Sequence, residues 1–249
     1  MPIQRNELEK YIGQLLMQDR FRDYAPNGLQ VEGRDSIRKI ASAVTASQAA
    51  IDAAIAIGAD ALLVHHGFFW KSEAAPIVRQ KKARIAALLR HDLSLFGYHL
   101  PLDAHPELGN NARLGQLLGI TPTGRCGEQD MVWLGELSVP CDWPAWSARI
   151  HTVLGREPLV IPGRSEVRRI AWCSGGAQSY FHEVAALDVD CFLTGEASEF
   201  VTHLARESGV GFVAAGHHAT ERYGIQALCA HLATEFNLEH VYLDLDNPV

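Results

Sequence analysis

Three pairs of side chains in this sequence have the types and spacing that hold a metal ion. Val64-His65-His66-Gly67 closes an apolar run with adjacent imidazoles, His99 precedes Asp103 by four residues, and His217 precedes Glu221 by four. Neutral imidazole is the commonest protein ligand for a transition metal. Joined by carboxylate and without thiolate, it suits zinc, manganese, iron, cobalt or nickel rather than copper(I) or an iron-sulfur cluster. Neighbouring strand residues point to opposite faces, so His65 and His66 serve one centre only if the strand has ended or two ions sit close together. Two ions about 3.5 to 4 Å apart, bridged by a carboxylate, acidify a shared water and aim it at carbon or phosphorus, which is hydrolytic chemistry. Any one of these pairs alone is ordinary surface chemistry; their joint placement after three apolar strands is what points to a metal.

The remaining candidates carry less. Glu196, in Leu193-Thr194-Gly195-Glu196, occupies the place of His66 in an internal repeat and reads either as a cleft residue or as a helix N-terminal acid. Gly175-Gly176 lacks the dinucleotide fingerprint and reads as a plain turn. Arg79, Lys81, Lys82 and Arg84 read as a solvated helix face, and Cys173 and Ser174 lack the nucleophile-elbow pattern.

Positioning these groups requires strands whose carboxyl ends meet a site. Apolar strand candidates run Ile40 to Val44, Ala61 to Val64 and Leu93 to Tyr98, separated by helices from Ser47 to Ile57 and about Ile77 to Leu89, with a short helix over Asn111 to Leu118. An amphipathic helix through Leu8, Ile12, Leu15 and Leu16, capped by Asn6, comes first. The rhythm then restarts. Arg169-Ile170-Ala171 follows Lys39-Ile40-Ala41 by 130 residues, and Asp190-Cys191-Phe192-Leu193 follows Asp60-Ala61-Leu62-Leu63 by the same interval. Phe96-Gly97-Tyr98-His99 matches Ala214-Ala215-Gly216-His217 at an interval of 118. The expected domains are a first α/β half over 1–120, a small inserted lobe or linker over 121–165 and a second α/β half over 166–249. The middle segment breaks the pattern with five prolines and with Trp133, Trp143 and Trp146.

With 47% apolar and 20% charged residues, the chain can bury a full core. No stretch free of charge approaches the roughly 18 residues that span a bilayer, so no membrane partner is expected. Glu7 and Glu9 interrupt the first residues, no secretory pattern is visible, and a cytoplasmic protein is expected. A net charge of −7 argues against general attraction to nucleic acid or anionic lipid, leaving only a local basic patch as a route. The five cysteines include no Cys-x-x-Cys and are expected to be reduced thiols.

Five ordered segments together resemble the Nif-three-like family: Asp23-Tyr24-Ala25-Pro26-Asn27-Gly28-Leu29-Gln30, Val64-His65-His66-Gly67, His99-Leu100-Pro101-Leu102-Asp103, Gly109-Asn110-Asn111 and Gly216-His217-His218-Ala219-Thr220-Glu221-Arg222. Members are often labelled GTP cyclohydrolase 1 type 2 homologues, and the likeness, over nearly the whole chain, is to the short bacterial YbgI-type members. It implies duplicated, three-layer-like α/β halves of mostly parallel strands with a metal site between the halves, and a ring-shaped homohexamer. It implies two divalent ions per chain held by His65, His66, Asp103, His217 and Glu221, with Glu221 the bridge and His99 beside the ligands. The function it implies is a dinuclear metal-dependent hydrolase, GTP cyclohydrolase type 2-like, acting on a nucleotide-like or phosphorylated small molecule through water or hydroxide held by the ions. The competing expectation is a non-catalytic metal-binding, metal-delivery or interaction protein.

Overall fold

The computed structural model describes residues 2–164 and 166–249, and they form two compact units. Residues 2–109 and 224–246 make the first, residues 110–223 and 247–249 the second.

In the first unit, a two-stranded ribbon pairs β1 (Ile3–Gln4) with β3 (Ser36–Ile37) beside helix α1 (Arg5–Leu15). The sheet is built from β2 (Gly28–Val31), β4 (Lys39–Thr45), β5 (Ala61–His66), β6 (Ser94–Gly97) and β13 (Glu239–Tyr242), in the order β13-β4-β5-β6-β2. All neighbours are parallel except β2, which runs antiparallel to β6. The central strands β4, β5 and β6 are buried on both faces because both are covered, as parallel sheets require. Ile40, Leu63 and Phe96 pack with Leu8 and Ile12 of α1 and with Ile225, Leu228 and Leu232 of α10 (Arg222–Phe236). Ala41, Leu62, Val64 and Leu95 pack with Ala50, Ile51 and Ala54 of α2 (Gln48–Ala56) and with Ile85 and Leu88 of α3 (Arg79–Arg90). The alternation separates two apolar layers across one sheet. The expected start at Ser47 is its cap: its Oγ accepts the Ala50 N–H at 3.1 Å. Asn6 does not cap α1, which begins a residue earlier, where Arg5 donates its backbone N–H to Asp35 at 2.7 Å.

The second unit holds α5 (Asn110–Leu118), β7 (Ile120–Cys126), β8 (Val132–Cys141), α6 (Trp143–Leu154), β9 (Leu159–Ile161), β10 (Val167–Trp172), α7 (Phe181–Val184), β11 (Cys191–Thr194), α8 (Phe200–Ser208), β12 (Gly211–Ala214) and α9 (His217–Thr220). Its sheet runs β7-β8-β10-β11-β12-β9. Only β10, β11 and β12 are mutually parallel, and the other three strands join antiparallel. The expectation of mostly parallel strands therefore holds for the first sheet and not for the second. One face carries Ile170, Trp172, Leu193 and Val213 against Leu114, Trp146 and Ile150. The other stacks Phe181, Phe192 and Phe212 with ring centroids 5.0 to 5.9 Å apart.

The described residues of the expected lobe, 121–164, belong to the second unit. The strands β7, β8 and β9 are hydrogen-bonded members of this sheet, and the prolines fall where a sheet tolerates them. Pro122 lies in the edge strand β7, Pro140 near the end of β8, and Pro144 in the first turn of α6. The boundary at 120 also moves, because α5 packs on the second sheet through Leu114 and the Asn111 carbonyl accepts the Trp172 Nε1–H at 2.9 Å.

The 130-residue repeat reappears as identical register. Ile40 pairs with Ala61 and Ala41 with Leu62 across β4 and β5, while Ile170 pairs with Cys191 and Ala171 with Phe192 across β10 and β11. The same device anchors both pairs. Asp60 Oδ2 accepts the backbone N–H of Arg38 and Lys39 at 2.8 and 3.0 Å; Asp190 Oδ2 accepts those of Arg168 and Arg169 at 3.2 and 2.8 Å. The third strand differs by one residue. Leu95 lies opposite Leu62 as Phe212 lies opposite Phe192, so the position of His99 corresponds to Gly216, not His217.

A carboxylate that satisfies two strand-entry N–H groups and pairs Arg34 Nη1 at 2.9 Å is hard to replace. Asp60→Ala should lower unfolding stability by about 1.5 to 3 kcal/mol, the range for charge-assisted hydrogen bonds, in urea denaturation.

Candidate metal centre

His65 and His66 end β5, where the backbone hydrogen bonds of the sheet run out and side chains are released to function. His65 is 1% exposed, and its Nδ1–H donates to the Tyr98 carbonyl at 2.9 Å. That bond fixes the ring and turns Nε2 toward Asp103 Oδ1, 3.5 Å away. Asp103 lies in the short helix α4 (Leu100–Ala104) and is 5% exposed. His66, half-buried, lies beside Thr45 Oγ1, which is 3.3 Å from its Nδ1. Donor atoms of His65, His66 and His99 all lie within 4.8 Å of one another.

His99 sits at the N-terminus of α4 and is clamped by residues about 75 positions away. Its Nδ1–H donates to Asp23 Oδ1 at 2.9 Å, its backbone N–H to Asn27 Oδ1 at 2.7 Å, and Leu100 N–H reaches Asp23 Oδ2 at 3.0 Å. Burial pushes the Asp23 carboxyl up. The His99 and Asn27 hydrogen bonds and the imidazole charge outweigh it and hold Asp23 well below the usual carboxylate range. Tyr24 and Trp70 set their rings edge-on to His99 at 5.0 Å, walling it with apolar surface.

The second unit repeats the logic with different residues. His217 opens α9; its Nδ1–H donates to Glu196 Oε1 at 2.7 Å and its Nε2 faces Glu221 Oε2 at 3.1 Å. Burial draws the His217 imidazole down, but the two carboxylates prevail and hold it up at about 9. Glu221 is 3% exposed and follows α9 directly. Its place depends on Gly175, whose φ is +67°, and a Cβ there would overlap Glu221 Oε1. Thr220 Oγ1 accepts the Gly175 N–H at 3.0 Å, tying the Gly175-Gly176 turn to the ligand segment. A Cβ at Gly195 would lie 2.7 Å from His217 Cα, so this position also requires glycine.

A common chemical form emerges. In His65, His99 and His217 the Nδ1–H is donated to an oxygen acceptor, which makes Nε2 the nitrogen that can ligate. Two ligands bound at about 2.0 to 2.2 Å to one tetrahedral or octahedral ion stand about 2.8 to 3.6 Å apart. The Nε2-to-carboxylate separations of 3.5 Å at Asp103 and 3.1 Å at Glu221 fall in that window. Nitrogen and carboxylate donors, each within its own unit, thus fit a divalent ion.

Arg79 and Lys82 are exposed, as a solvated helix face would be, whereas Arg84 is half-buried and Lys81 is folded against Glu73, 3.4 Å away, and the Phe69 ring. The segment of Asp23 and Asn27 enters the sequence reading only through the family resemblance and Gly175-Gly176 only as a turn; the clamp on His99, the Tyr98 carbonyl and the glycine cradle around Glu221 carry no sequence signal of their own. The turn residues Pro26, Asn27 and Gly28 mark a loop after Asp23 and nothing more.

A family model described as Duf34/NIF3 (NGG1p interacting factor 3) matches residues 3–248. The chain belongs to this family. Among Duf34/NIF3 relatives, proteins named GTP cyclohydrolase 1 type 2 homolog are similar over nearly their full length. The one from Neisseria meningitidis serogroup A is 53% identical over 98% of both chains, and the one from Escherichia coli K12 is 49% identical over 99% of this chain and all of its own. A solved structure titled protein ybgI, unknown function, is 48% identical with a TM-score of 0.96, covering 99% of this chain and all of that one. The structure of TTHA1606 from Thermus thermophilus is 34% identical with a TM-score of 0.89, over 99% of this chain and all of its own.

Because Gly175 admits no side chain beside Glu221, Gly175→Ala should displace that carboxylate. Bound zinc, measured by elemental analysis after dialysis, should fall by about half or more while the circular dichroism spectrum is retained.

Proposed function

We propose that the chain is a metal-dependent hydrolase of small molecules, nucleotide-like or phosphorylated, in which His65, His66, Asp103, His217 and Glu221 hold two divalent ions. The observation that carries this reading is the shared arrangement of imidazole and carboxylate, with Nδ1 anchored and Nε2 turned to a buried acid. The name borne by the relatives, GTP cyclohydrolase 1 type 2 homolog, agrees with it in reaction class. When bound, the ions supply Lewis acidity and acidify water for attack on carbon or phosphorus. Zinc, iron, manganese, cobalt or nickel would suit this donor set.

The protein's own residues do the positioning. Tyr98, Asp23 and Glu196 hold the three imidazoles at fixed orientation, and Glu196 accepts the His217 Nδ1–H so that Nε2 is the nitrogen offered to metal. Glu221 is the candidate bridge, since its buried carboxylate is held rigid by the turn at Gly175. His99, with its Nδ1 committed to Asp23, supports His65 and His66 from the side. A cavity of about 690 Å³ lined by Glu196, Gly195 and Gly216 gives a small molecule room beside His217, which favours turnover over metal storage or delivery. The corresponding strand registers support descent of the two units from one duplicated α/β unit. Free cysteines at all five positions suit a reducing, cytoplasmic setting.

With metal-replete protein and a panel of nucleotides and phosphoesters, Glu221→Ala and Asp103→Ala should each abolish turnover and lose metal together, while Arg79→Ala keeps both. A Glu221→Ala protein with wild-type rate on a confirmed substrate would transfer the site to metal handling. We further propose a ring-shaped homohexamer, on the resemblance to the family. Light scattering at micromolar concentration should return about six chain masses, and a single chain mass rejects the ring.

A further inference from the structure

We propose that Arg156 is the anchor for an oxyanion group, phosphate or carboxylate, on the small molecule that this centre processes. The proposal rests on the hydrolase reading and names the charge its substrate carries. Arg156 follows Gly155, the left-handed residue that ends α6, and precedes Glu157-Pro158 at the entry to β9. Its guanidinium lies flat on Gly216, where a Cβ would overlap Nη1. Packed in this way, Nε and Nη1 are buried without an acceptor, and no carboxylate among the described residues pairs with the side chain. Arginine stays protonated at any working pH, so a guanidinium stripped of water calls for an acceptor, and its planar fork matches phosphate or carboxylate. Arg5, still more buried, shows the usual solution, with Glu32 and Asp35 both on its guanidinium.

The cavity of about 690 Å³ that Arg156 lines is suited to supply that acceptor from outside. Leu159 and Ala214 give it apolar wall, and its two acids do not neutralise the arginine. Glu196 is engaged by His217 Nδ1 at 2.7 Å and by Gln178 Nε2 at 3.3 Å. Glu157 is turned to water beside His151, 3.2 Å away. Arg156 therefore lines the cavity with a charge that no acidic side chain among the described residues pairs. Because Glu196 both lines the cavity and holds His217, an anion on Arg156 sits one side chain from the imidazole of the centre.

Inorganic phosphate, titrated calorimetrically into chelator-treated protein, tests this without metal. Saturable binding is expected, weakened about tenfold or more in Arg156→Gln and partly restored in Arg156→Lys. Glu157→Gln should tighten it about twofold by removing an acid from the cavity, a gain that a misfolded variant cannot produce. Acetate and a nucleoside monophosphate, run alongside, distinguish carboxylate from phosphate recognition. Zinc titration of the same proteins should be unchanged by Arg156→Gln. Wild-type protein without saturable oxyanion binding, or Arg156→Gln binding as wild type does, overturns the proposal. Loss of zinc binding in the wild type would instead overturn the metal reading, leaving the phosphate result to stand by itself.

Discussion

A carboxylate taken out of water must meet positive charge or hydrogen-bond donors, and this constraint organises the candidate site. Asp103 and Glu221 are both almost fully buried, and each faces the Nε2 of an imidazole. Beside Glu221 a proton on the imidazole supplies that charge, and His217 holds one up to about 9 between its two acids. A divalent ion held here would take the place of the proton and satisfy carboxylate and lone pair at once, which would couple metal uptake to proton release. Acid should therefore weaken metal binding. The orientation of each imidazole by an oxygen on its far side is what keeps the exchange from scrambling the geometry.

The rest of each unit serves that placement. The paired strands β4 with β5 and β10 with β11 share one register, fixed at their entry by Asp60 and Asp190 on backbone N–H groups. Their exits differ by need: the first unit presents His65 and His66, the second Gly195 and Glu196 at the corresponding positions. Glycine at 195 leaves room for the backbone of His217, and Glu196 then meets its ring. One framework thus carries candidate ligands on one strand exit and an acid that orients His217 on the other.

Much of this was legible in the sequence, because apolar runs and their histidine or acid ends are local signals. The strands at 40, 61 and 94, the helix capped by Ser47, the histidine pair at 65 and 66 and the pairing of His217 with Glu221 follow from sequence, whereas Asp103 faces His65 and His99 turns to Asp23. What failed was non-local. Prolines at 122, 140 and 144 suggested a lobe, although an edge strand, a strand end and a first helical turn accommodate them. The return of β13 to lie beside β4 leaves no mark on either segment. The match of His99 with His217 was one residue off, since residue identity favoured histidine over histidine while the sheet register aligns His99 with Gly216. Asp23 looked like a turn residue because its partner is far along the chain.

The claim on which the account depends is that these residues hold metal, and anomalous diffraction from metal-replete crystals addresses it directly. Data collected at the absorption edge of the bound element should give two peaks per chain, each within about 2.0 to 2.2 Å of donor atoms drawn from His65, His66, Asp103, His217 and Glu221. Peaks absent from these side chains in protein that elemental analysis finds loaded, or a loaded metal bound elsewhere on the chain, would contradict it.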